Sequence, residues 1–156
     1  MAANGSRNGR AESPCSIARA LEVLGERWTF LILREALSGL TRFADFQQAL
    51  GIAPDVLSDR LATLVSAGVL EKHPYREPGT RVRFSYHPTP AGEELRLVLG
   101  ALQQWGDEHR PRELGPTMAR RTVDGGSPVR VAFVDETGVA VPLDRVAFVK
   151  TAAYPS

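Results

Sequence analysis

The sequence predicts a mainly helical α+β fold, on three observations. Apolar residues recur at helical spacing in four successive segments between Pro14 and Ala67, the last two separated only by Gly51-Ile52-Ala53. A basic strand-loop-strand follows directly, and a long amphipathic helix comes after it. That order is a winged helix-turn-helix, here with a C-terminal β-hairpin or meander extension.

Ser13-Pro14 opens the first helix, with serine as its cap and proline at the first helical position, and Ile17, Leu21 and Leu24 form its stripe. Gly25 closes or bends it. The second helix runs from about Arg27 to Leu37, with Trp28, Leu31, Ile32 and Ala36 on one face, and ends at Ser38-Gly39. Thr41 is the expected cap of the third, Arg42 to Leu50, which carries Phe43, Phe46 and Leu50. Pro54 starts the fourth, which runs to about Ala67 and stops at Gly68. At ~100° per residue, Leu57, Leu61, Leu64 and Val65 share one side of it. Asp55, Ser58, Asp59, Ala62, Thr63 and Ser66 share the other.

Val69 to Glu71 and Val82 to His87 read as strands, and the proline-rich His73 to Thr80 as an extended hairpin tip. Thr89-Pro90 caps and starts a helix whose stripe is Leu95, Val98, Leu99, Leu102 and Trp105. Beyond Arg112 the composition shifts to Gly, Pro, Arg and Thr. Val129-Val131-Phe133 and Val139-Val141 then flank Asp135-Glu136-Thr137-Gly138 as a hairpin, with a third strand expected over Val146 to Lys150. The organisation is a disordered arm over 1–12, a winged domain for DNA binding and dimerisation over 13–110, a linker over 111–127 and a small β extension over 128–156.

Composition narrows the function. Hydrophobic residues make up 43% of the 156, enough for a real core. The net charge of +1 excludes a uniformly basic coat, so affinity for nucleic acid has to come from a local patch. No apolar run approaches the ~20 residues that span a bilayer, and polar Met1 to Glu12 lacks the apolar stretch of a secretory signal. One cysteine closes no internal disulfide, which fits a cytoplasmic protein, and leaves no cysteine-rich zinc site. His73, His87 and His109 fall on three elements without metal-ligand spacing, and no phosphate loop or nucleophile motif occurs. Neither an enzyme nor a cofactor or metal site is expected.

The pattern points to double-stranded DNA. Reading the major groove requires a helix whose outer face approaches base edges closely, and short polar groups permit that. Pro54, Asp55, Ser58, Asp59 and Thr63 are the candidates. Phosphate contacts require cations on flanking elements, for which Arg42, Arg60, Lys72, Arg76, Arg81 and Arg83 are available. The segment 71–83 holds four of these cations against Glu71 and Glu77. Arg60 lies beside the apolar stripe and has a second reading, as an internal salt-bridge partner. Arg83 alternates with Val82 and Phe84 and is expected to face solvent or DNA. A protein-interaction and dimerisation module without DNA binding is the alternative, which a basic wing disfavours.

The residues themselves resemble a family, the HxlR-type regulators. The resemblance rests on Cys15-Ser16-Ile17-Ala18-Arg19-Ala20-Leu21, Gly25-Glu26-Arg27-Trp28-Thr29, Arg42-Phe43 with Phe46, Gly51-Ile52, Leu57, Arg60-Leu61 and Gly68-Val69-Leu70. Tyr75-Arg76-Glu77-Pro78, Arg81 through Tyr86 and Thr89-Pro90-Ala91-Gly92-Glu93-Glu94-Leu95 extend it. It implies a bacterial homodimer, often a repressor, on palindromic operator DNA, with the first and last helices at the dimer interface. The chain departs from the family at Pro78-Gly79-Thr80, where two prolines are more usual, which implies a looser wing tip.

Cys15 falls at the second position of the expected first helix, where the helix dipole favours a thiolate. The resemblance makes it a candidate sensor of oxidants or electrophiles; the plainer reading is a small residue that senses nothing. Trp28, Leu95, Val98, Leu102 and Trp105 are core and dimer-interface candidates, or the wall of a pocket for a small-molecule effector.

Overall fold

A computed structural model describes residues 13–154. The expected arm, 1–12, lies outside the described residues. Five helices and two small antiparallel sheets follow one another: α1 (Ser16–Leu24), α2 (Arg27–Leu37), α3 (Phe43–Leu50), α4 (Pro54–Ser66), β1 (Leu70–Tyr75), β2 (Arg83–Pro88), α5 (Pro90–His109), β3 (Phe133–Val134) and β4 (Ala140–Val141). The core lies where α2, α3, α4 and the start of β1 converge. Ile32, Leu33, Phe46, Leu57 and Leu64 are wholly buried there, with Leu24, Ala36, Ile52, Leu61, Val69 and Leu70 around them.

Local chemistry sets the ends of the elements. Gly51, at φ 60°, takes the left-handed position that ends α3 and turns the chain into α4. Pro54 fits the first turn of α4, where its missing N–H costs nothing. The Thr89 hydroxyl accepts from the Gly92 N–H at 3.2 Å, capping α5, and donates to the Gly68 carbonyl at 2.6 Å. One side chain therefore ties the exit of α4 to the start of α5.

In the winged domain three expected details differ. Helix α1 begins at Ser16, so Cys15 is its cap residue rather than its second position, and Ser13 accepts from the Cys15 N–H at 3.3 Å from outside the helix. Thr41 does not cap α3; Arg42 holds that position, and the Thr41 carbonyl accepts from the Tyr86 N–H at 2.7 Å. A bridge between Arg42 and Ser85 makes this stretch a third, minimal partner of the wing. Strand β1 runs to Tyr75 and takes in His73 and Pro74, which were expected in the tip. Pro74 is tolerated because β1 is an edge strand, where a lost donor breaks no second ladder.

The tail is ordered against α5. The Gln104 side-chain amide donates to the Val131 carbonyl at 3.1 Å and accepts from the Val131 N–H at 3.0 Å, so it pairs with the chain as another strand would. Gln103 donates to the Met118 carbonyl at 2.7 Å. The segment expected as a linker carries a tight turn, with Arg121 bridged to Pro128. The hairpin β3–β4 forms as expected. Asp135 Oδ1 holds its turn by accepting from the Thr137 hydroxyl and from the Thr137 and Val139 N–H groups. Those bonds, the Thr137 hydroxyl first, keep the Asp135 carboxyl below the usual carboxylate range. The third strand does not form. Pro142 turns the chain into a 3-10 turn, Leu143–Arg145, and Val146 to Lys150 carry no strand pairing.

Candidate nucleic-acid interface

Helix α4 separates its two faces cleanly. Leu57, Leu61 and Leu64 are at most 1% exposed, whereas Pro54, Asp55, Ser58, Asp59 and Ala62 are open to solvent on the opposite side. The amphipathic period thus places four of the five expected groove residues on one uncovered surface. Thr63 stands at its edge, half-buried, and its hydroxyl donates to the Asp59 carbonyl at 2.9 Å. That back-bond uses the donor within the helix. Ser58 makes no side-chain hydrogen bond among the described residues, so its hydroxyl is available. Two carboxylates on the same surface would repel phosphates, but they match the amino groups that cytosine and adenine present in the major groove.

The wing stands beside this helix. Its register pairs Tyr75 with Arg83, His73 with Ser85 and Lys72 with Tyr86. Opposite residues share a face and neighbours alternate, so Arg83 and Lys72 lie on opposite faces of the ribbon. Lys72 sits over the Phe84 ring at 4.9 Å. Arg81 and Arg83 are exposed, without a side-chain hydrogen bond or ion pair among the described residues. Arg76 instead donates from Nε to the Thr80 carbonyl at 2.8 Å, and the Thr80 N–H and hydroxyl both return to the Glu77 carbonyl. The tip is therefore a closed turn, with Gly79 at φ 76°, rather than the looser one that Pro78-Gly79-Thr80 implied. Arg42 is engaged too: Nη1 lies 3.0 Å from Glu77 Oε1, and the guanidinium lies 5.0 Å from the Tyr75 ring centre. Arg60 is half-buried, and no carboxylate among the described residues comes within ion-pair distance, so the salt-bridge reading fails.

One cluster has no counterpart among the expected site residues. The rings of His73 and His87 stack 4.8 Å apart across the wing, with Glu71 3.2 Å from His73 and the Ser85 hydroxyl 2.9 Å from His87 Nε2. The available signal is the two-residue spacing of Glu71 with His73 and of Ser85 with His87, which puts all four on one face. Behind the other face, burial raises the Tyr86 phenol above its usual range. Among the described residues, no group of His, Cys, Asp and Glu is placed to hold a metal ion.

The residues proposed for an interface or pocket differ in exposure. Trp28 and Leu95 pack against the core. Val98, Leu102 and Trp105 are 40%, 49% and 58% exposed along α5, and Ile17 and Leu21 are open on α1. Cys15 is exposed at the start of α1. The Arg27 guanidinium lies over the Trp28 ring, and the Trp105 ring lies beside His109.

A profile of HxlR-like helix-turn-helix proteins matches residues 23–114, more than half of the chain. The chain belongs to the HxlR-like helix-turn-helix family. The match takes in α2 through α5, and thus the whole of the surface described above. Among HxlR-like relatives, an uncharacterized HTH-type transcriptional regulator of Mycobacterium tuberculosis is 45% identical over 106 residues. That comparison covers 68% of this chain and 66% of the relative, just under two thirds of its length. The solved structure of PA1607, described as a candidate transcription factor, superposes with a TM-score of 0.77 at 31% identity, covering 94% of this chain and all of that one. PA1374 from Pseudomonas aeruginosa, described in the same way, gives 0.64 at 40% identity over 90% of this chain and 95% of its own. Such coverage requires the tail as well as the HxlR-like core. No helix of the described residues is long and apolar enough to cross a membrane.

Proposed function

We propose that this HxlR-like chain is a homodimeric, sequence-specific DNA-binding regulator that works in the cytoplasm as a repressor on a palindromic operator. One observation carries the reading. Helix α4 turns Leu57, Leu61 and Leu64 inward and an uncovered row of short polar residues outward, beside a wing whose Arg81 and Arg83 have no partner among the described residues. In this role α4 enters the major groove, with Asp55, Ser58 and Asp59 toward base edges and Pro54 at the entering end. Arg81 and Arg83 meet the phosphate backbone, and Arg60 approaches it from the flank of α4. The open apolar residues of α1 and α5 form the dimer interface, since a surface of Ile17, Leu21, Val98, Leu102 and Trp105 is costly to leave in water. A two-fold dimer presents two copies of α4, which makes the operator a palindrome. Cys15, exposed two residues from Ile17, serves as the site where oxidants or electrophiles act on that dimer.

Genomic selection tests the reading. The purified protein is incubated with sheared DNA of its own source, bound fragments are recovered, and salt is titrated. The expected result is an enriched palindrome, bound by one dimer and released steeply by salt as phosphate contacts give way to counterions. An intact dimer that enriches no site at low salt would favour the interaction-module alternative.

A further inference from the structure

We propose that the tail converts the back of the winged domain into a binding site for a small organic anion with a bulky apolar body, such as an aryl or medium-chain alkyl carboxylate. The site is a cleft of about 830 Å³ between α2, α5 and residues 117–131. This lies within the ~300–1,000 Å³ usual for small-molecule sites. It is separate from the groove-facing side of α4, and the binding claim stands whether or not the chain binds DNA.

The walls are apolar. Phe30 and Leu31 come from α2, Leu99 and Leu102 from α5, and Val131 from the tail. Gly100 forms part of the lining because a Cβ there would come within 3.1 Å of a Val131 methyl. The bare α5 backbone thus lets the tail approach while Gln104 pins it through both sides of the Val131 peptide.

The polar groups of the cleft carry one sign in excess. Five arginines line it, against Asp107 as the one lining carboxylate. Arg34 and Arg96 are neutralised by Glu35 and Glu93, and Arg120 pairs with Asp107 at 3.4 Å. Arg121 donates only to the Gly126 carbonyl, which leaves its charge uncompensated. Arg130 has no ion pair or side-chain hydrogen bond among the described residues. Two uncompensated guanidinium groups among apolar walls fit an anion with a hydrophobic body. A cation or a sugar fits them poorly.

The test compares 2-naphthoate with 2-naphthamide, which keeps the shape and drops the charge. Binding to the full chain is measured by calorimetry, and methyl NMR locates it. The expected result is one naphthoate per chain, at least about 10-fold tighter than the amide. Shifts should centre on the methyls of Leu31, Leu99 and Val131. R121Q/R130Q should remove the preference for the carboxylate and leave amide binding in place. The single R130Q change, at an exposed side chain without partners, should reduce that preference if the double variant fails to fold. Equal affinity for acid and amide would overturn the proposal. So would shifts centred on Ile17, Leu21 and Val98, or a carboxylate preference that survives R121Q/R130Q.

Discussion

Arg42 and Glu77 are joined across the wing, Nη1 to Oε1 at 3.0 Å, although 35 residues separate them in the chain. This pairing withholds a cation that the sequence offers to phosphate. It also fastens the wing tip to the residue that caps α3. Both side chains are about half exposed, so the pair contributes at most about 1 kcal/mol to stability. Glu77→Gln should therefore leave folding nearly unchanged and release Arg42 toward the DNA backbone. The operator affinity should rise, and the slope of log K against log salt should steepen by about 0.9, one added phosphate contact. An unchanged slope would show that Arg42 is a wing brace alone.

Base reading and phosphate binding separate by residue. Ser58→Ala removes a hydroxyl of the groove surface that makes no hydrogen bond among the described residues. It should cost about 1 kcal/mol on the operator and much less on random DNA. Arg83→Gln should weaken both sequences alike and lower the salt slope by about 0.9. Titrations of the two variants on operator and random duplexes, at several salt concentrations, distinguish the roles. The proposal for α4 fails if Ser58→Ala weakens both duplexes equally.

The helices and the order of elements were legible because each depends on local signals. Gly51, Pro54, Gly68 and Thr89-Pro90 punctuate them, and the period of Leu57, Leu61 and Leu64 fixes which face of α4 turns outward. What the sequence hides is which polar groups are already engaged. Arg42, Arg76 and Thr63 look like available polar groups, yet each is engaged by a partner, two of them chosen only when the wing folds. Pro74 reads as a loop residue until β1 is known to be an edge strand. The strand expected over Val146 to Lys150 has the right composition, but the turn after Pro142 leads it away from the edge of β4. The cleft behind α5 is invisible for the same reason. Its arginines come from three stretches of chain and are counted together only once Gln103 and Gln104 have bound the tail.

Gly92 is the tightest point of the winged domain. A Cβ there would run into the Val69 carbonyl oxygen, which already accepts from the Thr89 N–H at 3.1 Å. Backbone, not a flexible side chain, would have to move. Gly92→Ala should destabilise the protein by about 1–3 kcal/mol in urea unfolding. Gly106, in the same helix, has open space around its missing Cβ. Gly106→Ala should stabilise by up to about 1 kcal/mol, since alanine is the better helix former. Equal effects at the two positions would mean that helix propensity, not the approach of β1, governs Gly92.

Dimerisation should depend on residues that contribute little to the fold of one chain. Trp105 is 58% exposed and Leu21 is 53% exposed, so neither holds the core. Trp105→Asp with Leu21→Glu should leave the circular dichroism spectrum and the unfolding midpoint of the monomer close to those of the parent. Sedimentation should shift from dimer to monomer. Because the two half-sites are then bound independently, operator affinity should fall by about 100-fold or more. A double variant that stays dimeric would move the interface elsewhere, to the exposed Phe133, Val134 and Phe148 of the tail.

Cys15 tests how the dimer is controlled. Its thiol is exposed, and a protein disulfide at this position takes the cysteine of a second chain. Diamide would take up two electrons and two protons as two Cys15 thiols couple across the dimer. If α1 lies at the interface, that bond locks the two copies of α4 at a new spacing, and operator affinity should drop. Dithiothreitol should restore it, and Cys15→Ser should bind the operator normally and ignore diamide. Iodoacetamide separates the bond from mere modification: an adduct on each chain blocks the disulfide, so release by diamide but not by iodoacetamide would assign the effect to the cross-link. Release by both would assign it to bulk at the start of α1. A Cys15→Ser protein that still releases DNA in diamide would remove Cys15 from the mechanism, since the chain has no second cysteine to take its place.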